Sequence, residues 1–267
     1  MKIQYCSDLH LEFEENKNFL KQNPIVPTGE ILILAGDIVP FAIMDKHNDF
    51  FNYVADNFET TYWIPGNHEY YHFDIANKCG VINESIKSNV HLVNNVAIQQ
   101  KNVKLIFTTL WSKISAANEW EIARSINDFH VIKHNGNKLL TSQFNSLYYD
   151  SVDFIVKEIR SKSEAKTMII THHVPTLYNY PELYKTSSLN EAFAVELYDL
   201  IEASNADAWI YGHHHSNTPD FMIGNTKMLT NQLGYVRSGE HESFINNKVH
   251  ILNEYFENEN NKPNYAQ

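Results

Sequence analysis

Five times along this chain a short apolar run stops at a polar cluster. Lys2–Ser7 runs into Asp8-Leu9-His10, and Ile31-Leu32-Ile33-Leu34 into Ala35-Gly36-Asp37. Tyr62-Trp63-Ile64 meets Pro65-Gly66-Asn67-His68-Glu69, and Met168-Ile169-Ile170 meets Thr171-His172-His173. Ala208-Trp209-Ile210-Tyr211 meets Gly212-His213-His214-His215. Short runs rich in β-branched and aromatic residues, flanked by Gly or Pro, read as strands buried on both faces. Helical periodicity separates them. Phe50, Phe51, Val54 and Phe58 share one face; Phe144, Tyr148, Val152, Ile155 and Ile159 share another, with Thr141 placed as N-cap. Ser188 and Glu191 form a capping box ahead of Phe193, Leu197, Leu200 and Ile201. The alternation predicts an α/β fold. In such sheets ligands gather at the carboxyl ends of strands, where all five clusters stand.

The length of 267 residues suits one large core, expected over residues 1–252, with a polar tail over 253–267. Residues 112–140 lack clear strand character and read as an insertion. No apolar run reaches 18 residues, so no membrane span is expected. MKIQYCSDLH leaves no room for a signal peptide, and the two isolated cysteines, Cys6 and Cys79, fit a reduced, cytoplasmic protein. The net charge is −11, and the arginines are Arg124, Arg160 and Arg237 alone. That balance argues against nucleic acid as a partner, since a chain that tracks phosphate backbones carries a basic surface.

The five clusters pool carboxylates, an amide oxygen and imidazoles, with no thiolate. In an extended segment residues i and i+2 point to the same side, so Asp8 and His10 are expected to face one point while Leu9 turns into the core. The same alternation sends His213 and His215 one way and His214 the other. A nitrogen and oxygen donor set of this kind suits Mn, Fe or Zn in catalytic use. Two divalent ions bring about +4 against −2 from Asp8 and Asp37, leaving a surplus that attracts a phosphate dianion and acidifies water. Each cluster alone is a common turn or a hydrogen-bonded core histidine. Five of them at strand ends make the metal reading the stronger one.

In order, Asp8-x-His10, Gly36-Asp37, Gly66-Asn67-His68-Glu69, His172-His173 and Gly212-His213-x-His215 resemble the motifs of the calcineurin-like metallophosphoesterase superfamily. The strings YCSDLHLEF, THHVP and NQLGY are similar to a branch of small, cytosolic bacterial members. The resemblance implies a four-layer αββα sandwich of two mixed sheets, with the metal site at strand carboxyl ends. It implies that Asp8, His10 and His215 hold one ion, that Asn67, His172 and His213 hold the other, and that Asp37 bridges them. His68 is implied to lie beside the phosphate and assist the leaving oxygen, making Asp37 and His68 catalytic and Asn67 and His68 substrate-binding. A metal-bridging hydroxide then attacks the phosphorus of a small phosphoester in line. His214 stands where family members often have threonine, a position that does not ordinarily bind metal.

Other residues carry weaker expectations. Glu69 and His173 are expected to support neighbouring ligands by hydrogen bonding or packing. Tyr178, Tyr180 and Tyr184 either line the substrate pocket or pack their loop onto the body. Trp111 and Cys6 are expected in the core, and Arg237 in a surface ion pair. Within the enzyme reading a phosphodiesterase, of cyclic nucleotides or other diesters, shares the motif set. A nonenzymatic metal-binding scaffold is the rival from another class; filled ligand positions and the presence of His68 weigh against it. A metallo-β-lactamase-like hydrolase needs His-x-His-x-Asp-His, which is absent.

Overall fold

The computed structural model describes residues 1–161 and 165–252; the expected tail, 253–267, lies outside them. The strands are β1 Lys2–Cys6, β2 Ile31–Ala35, β3 Thr60–Ile64, β4 Ile82–Lys87, β5 Val90–Asn94, β6 Val96–Gln100 and β7 Val103–Phe107. They continue as β8 Lys133–His134, β9 Asn137–Lys138, β10 Lys166–Ile170, β11 Ala208–Ile210, β12 Phe221–Ile223, β13 Thr226–Leu229 and β14 Val249–Ile251. The helices are α1 Glu14–Gln22, α2 Asn48–Asn57, α3 Glu119–Ser125, α4 Asp128–Val131, α5 Thr141–Arg160 and α6 Tyr198–Ser204.

Two six-stranded sheets are built on one plan. The first runs β14-β1-β2-β3-β5-β4 and the second β12-β13-β11-β10-β7-β6. In each, four parallel strands form the middle and one antiparallel strand closes either edge. The sheets face each other across a core in which Ile3, Tyr5, Ile33 and Tyr62 meet Leu105, Phe107, Met168, Ile170 and Ile210. The outer face of the first sheet is covered by α1 and α2 through Phe51, Val54, Phe19 and Leu20 against Leu32, Leu34 and Trp63. The outer face of the second is covered by α5 and α6 through Ile155, Val152 and Ile201 against Ile106, Ile169 and Trp209. This is the αββα sandwich, and the central strands bury apolar side chains on both faces because both are covered.

Some local expectations are corrected. Thr141 is the first helical residue of α5 rather than its cap; Gln143 Oε1 instead accepts from the Leu140 backbone N–H at 2.9 Å. The capping box does not start one long helix. Ser187 caps a 3₁₀ turn over Ser188–Ala192, and α6 begins only at Tyr198. Glu191 is drawn away, its Oε2 accepting from the Ser115 N–H at 2.7 Å, so it does not serve the local cap. The expected insertion contains α3, α4 and the β8–β9 ribbon, and it packs Ile122, Phe129 and Ile132 on Trp111 and Phe144.

Candidate metal centre

The seven side chains that the motifs single out meet at one end of the sandwich, where the carboxyl ends of β1, β2, β3, β10 and β11 converge. Two groups of donors that share Asp37 form there, Asp8, His10, Asp37 and His215 in one, and Asp37, His172 and His213 in the other; a third, of His10, Glu12 and His68, adjoins the first. Asn67 joins the second: its Oδ1 lies 3.3 Å from His172 Nε2. Gly36 makes the turn after β2 with φ +92°, a conformation open to glycine. Gly66 solves a space problem, since a Cβ there would sit 2.2 Å from Asp37 Oδ1 and 2.5 Å from His172 Nε2.

The backbone reaches this arrangement by a route the alternation argument missed. Asp8 (φ 56°), His10 (φ 47°), Asp37 (φ 56°), His213 (φ 81°) and His215 (φ 52°) all occupy the left-handed region. The segments are therefore not extended. Each left-handed residue costs roughly 1–2 kcal/mol, and such residues concentrate at functional sites where the surrounding structure over-determines them. Here the loops are tied down: Asp8 N–H donates to Gly36 O and His10 N–H to Asp37 O, both at 2.9 Å, and His213 N–H donates to Asp8 Oδ1 at 3.0 Å. Leu9 and His214 do turn away from the donor group, but through bends rather than pleating.

Hydrogen bonds fix the tautomers. His10 Nδ1 faces Glu12 Oε1 at 3.2 Å and His215 Nδ1 faces Glu240 Oε2 at 2.7 Å. A carboxylate accepts only, so both Nδ1 atoms carry hydrogen. The two Nε2 lone pairs then point at each other across 2.9 Å, beside Asp8 Oδ1 at 3.4 Å from His215 and Asp37 Oδ2 at 3.8 Å from His10. In the other group, His172 Nδ1 donates to the Ala35 carbonyl at 2.9 Å, which leaves its Nε2 as acceptor facing His213 Nδ1 at 3.1 Å and Asp37 Oδ1 at 3.3 Å. Asn67 Nδ2 donates to Asp128 Oδ1 at 2.9 Å, so the amide turns its oxygen inward. Converging acceptors in a buried site call for a cation. With no ion between the donors, burial opposes charge on His172 and His215, yet Asp37 raises the first to about 9 and Asp8 with Glu240 the second to about 10, so a proton on each Nε2 takes the place that a metal ion would fill. The donor set thus fits metal binding by nitrogen and oxygen ligands.

His68 lies beside the centre. Its Nδ1 is 2.8 Å from Glu12 Oε1 and its Nε2 is 3.3 Å from the Tyr235 hydroxyl. Its ring stacks on Tyr71 at 4.0 Å. Burial works against charge on His68, but Asp37 and Glu12 outweigh it and raise the pKa. Its backbone N–H donates to Asp37 Oδ1 at 2.9 Å.

Among the lesser candidates, Glu69 supports the loops: its carboxylate accepts from the backbone N–H of Asp37, Ile38 and Gly66 and from Trp63 Nε1. His173 packs among Trp111, Phe144 and His213, and its ring nitrogens meet no well-formed hydrogen-bond partner among the described residues. His214 is buried against Gln232, 2.9 Å from its Nε2, and burial holds it at about 4, so it is neutral near pH 7. Arg237 makes no ion pair among the described residues; its guanidinium lies over the Phe13 and Tyr235 rings at 5.3 and 5.7 Å. Glu12, Asp128, Tyr235 and Glu240 were not foreseen. Glu12 and Tyr235 left a trace, the first as a carboxylate two residues after His10 and the second as the last residue of NQLGY.

A cavity of about 400 Å³ opens over Asp37, Asn67, His68, His213 and His215. Tyr180 and Tyr184 reach its wall, whereas Tyr178 does not. A four-layer sandwich with a buried histidine and carboxylate centre under such a cavity is the build of a metal-dependent hydrolase. The chain belongs to the calcineurin-like phosphoesterase family, whose sequence profile matches residues 1–217, and with it to the phosphoester hydrolases. An uncharacterised protein of Acanthamoeba polyphaga mimivirus is 33% identical over 264 residues, covering 87% of this chain and 91% of the viral one. A crystal structure of phosphopantetheinyl hydrolase from Mycobacterium tuberculosis shares the fold with a TM-score of 0.69 at 16% identity, covering 90% of this chain and 92% of that one. No helix among the described residues is long and apolar enough to cross a membrane.

Proposed function

We propose that the chain hydrolyses a small phosphoester with two metal ions, drawn from Mn, Fe or Zn. Asp8, His10 and His215 would hold one ion, Asn67, His172 and His213 the other, with Asp37 between them. The observation that carries this reading is the pair of donor groups sharing Asp37, with acceptor atoms facing one another. When bound, the ions supply charge neutralisation at the phosphate and lower the pKa of water so that it attacks near neutral pH.

The protein's own groups do the rest. Glu12 holds the His68 ring by Nδ1, which leaves Nε2 on the cavity side. Glu12 and Asp37 favour the doubly protonated ring, whose Nε2–H passes to the leaving oxygen. Asn67 and His68 flank the cavity floor and orient the phosphate. Two free cysteines, one of them exposed, fit a reducing compartment such as the cytoplasm.

The test is a rate panel after metal reconstitution, with p-nitrophenyl phosphate against bis-p-nitrophenyl phosphate. Turnover of either that is abolished by chelation and restored by metal supports the reading, and their ratio separates monoesterase from diesterase. Metal binding with no turnover of any phosphoester would leave a metal-binding scaffold instead.

A further inference from the structure

The cavity over the centre has a sharply uneven chemistry. Among the described residues no lysine or arginine lines it. Three carboxylates do, Asp37 in the floor, Asp128 from the insertion and Glu240 from the segment after β13. Tyr180, Tyr184 and Phe193 add an aromatic wall. Tyr180 is buried and Tyr184 half-exposed, so that wall is partly fixed and partly open to solvent. Asp128 Oδ1 accepts from Asn67 Nδ2 and from the Tyr71 hydroxyl, both at 2.9 Å, and Glu240 Oε2 lies 2.7 Å from His215 Nδ1.

Among the described residues, positive charge facing this cavity is confined to the histidine floor and the ions it would hold. A phosphate placed there is compensated, but a second anionic group on the substrate meets no side-chain cation on the walls and at least one carboxylate. In a desolvated site a like charge within reach costs far more than in water. The aromatic wall favours a flat or apolar, uncharged group, which gains from burial against rings.

Resting on the phosphoesterase reading, we infer that the substrate carries a single phosphate group and an uncharged, ring-bearing or apolar alcohol seated against Tyr180, Tyr184 and Phe193. Polyphosphates and esters of acidic alcohols are disfavoured by Glu240 and Asp128, which no wall cation among the described residues offsets. This is selection by repulsion as much as by fit.

Two aryl esters of matched shape test it on the metal-reconstituted full chain: 4-carbamoylphenyl phosphate, which is neutral beyond the phosphate, and 4-carboxyphenyl phosphate. If the enzyme proves to be a diesterase, the corresponding methyl diesters take their place. The expected result is a kcat/KM about tenfold or more lower for the carboxylate, carried mainly by KM. Ser125→Lys puts a cation on the exposed rim of the wall; it should close that gap several-fold while leaving the carbamoyl ester within a few-fold. Tyr184→Ala should raise KM for the aryl ester more than for methyl phosphate. Equal or better turnover of the carboxylate, or equal effects of Tyr184→Ala on aryl and methyl esters, overturns the inference and leaves the hydrolase reading standing. Failure to hydrolyse any of these esters sinks the hydrolase reading first, and this inference with it.

Discussion

The two halves of the centre are supported by different means. In the half made of Asp8, His10 and His215, each imidazole rests on a carboxylate, Glu12 behind His10 and Glu240 behind His215. In the half made of Asn67, His172 and His213, the support is a backbone carbonyl for His172 and Asp128 for Asn67, while His213 Nε2 meets no hydrogen-bond partner among the described residues. An imidazole that donates to a carboxylate is a more basic ligand than one that donates to a peptide carbonyl. The first half should therefore bind its ion more tightly and the second exchange more readily. Lost support at Glu12 and Glu240 is lost basicity, whereas lost support at Asp128 is lost orientation of an amide.

Asp37→Asn should break the comparison altogether, because that side chain belongs to both halves. Both metal occupancies should fall together and activity should vanish, as read by elemental analysis and by rate. Retention of one full equivalent would mean that Asp37 serves one half only. His215→Ala and His213→Ala should each remove most activity, but unequally in metal: His215→Ala should strip the tight site and His213→Ala the weak one, as competition with a chromogenic chelator would show. Identical chelator profiles would erase the asymmetry. His68→Ala should keep both ions and lose about 10²–10⁴ in rate, the usual range for one acid–base group. Partial rescue by a substrate with a very good leaving group checks that protonation is what was lost. Glu240→Gln and Asp128→Asn sharpen the comparison. Each should cost about 10–100-fold in affinity or activity, the first at the tight site and the second at the weak one. His214→Thr, at the smallest end, should leave metal content and rate within a few-fold of wild type.

How much of this was legible before the fold depended on where the information lay. The central strands and the clustering of the seven side chains could be read because each of these residues follows its own strand by two to five residues, so local pattern and site coincide at Ile31–Ala35 with Asp37 or Ala208–Ile210 with His213. The conformation carrying them could not. Asp8, His10, His213 and His215 adopt left-handed φ without a glycine to announce it. Long-range ties of the loops impose that strain. Glu240 and Asp128 were invisible for a simpler reason: they reach the centre from segments that share no motif with the ligands they support. Glu191 misled in the opposite direction, since a local capping pattern lost to a hydrogen bond with Ser115, 76 residues away. The edge strands β4, β6, β12 and β14 lack the continuous burial of the central strands and left little pattern to find.

The central claim is that one buried cluster holds two ions of unequal affinity around a shared carboxylate. Calorimetric titration of metal-free protein with Mn²⁺, or with Zn²⁺ if Mn²⁺ binds too weakly to resolve, measures this most directly. It should saturate at two ions per chain in two resolvable steps, with the weaker step absent in His213→Ala. Saturation at one ion per chain, or two indistinguishable sites that His213→Ala weakens alike, would contradict it.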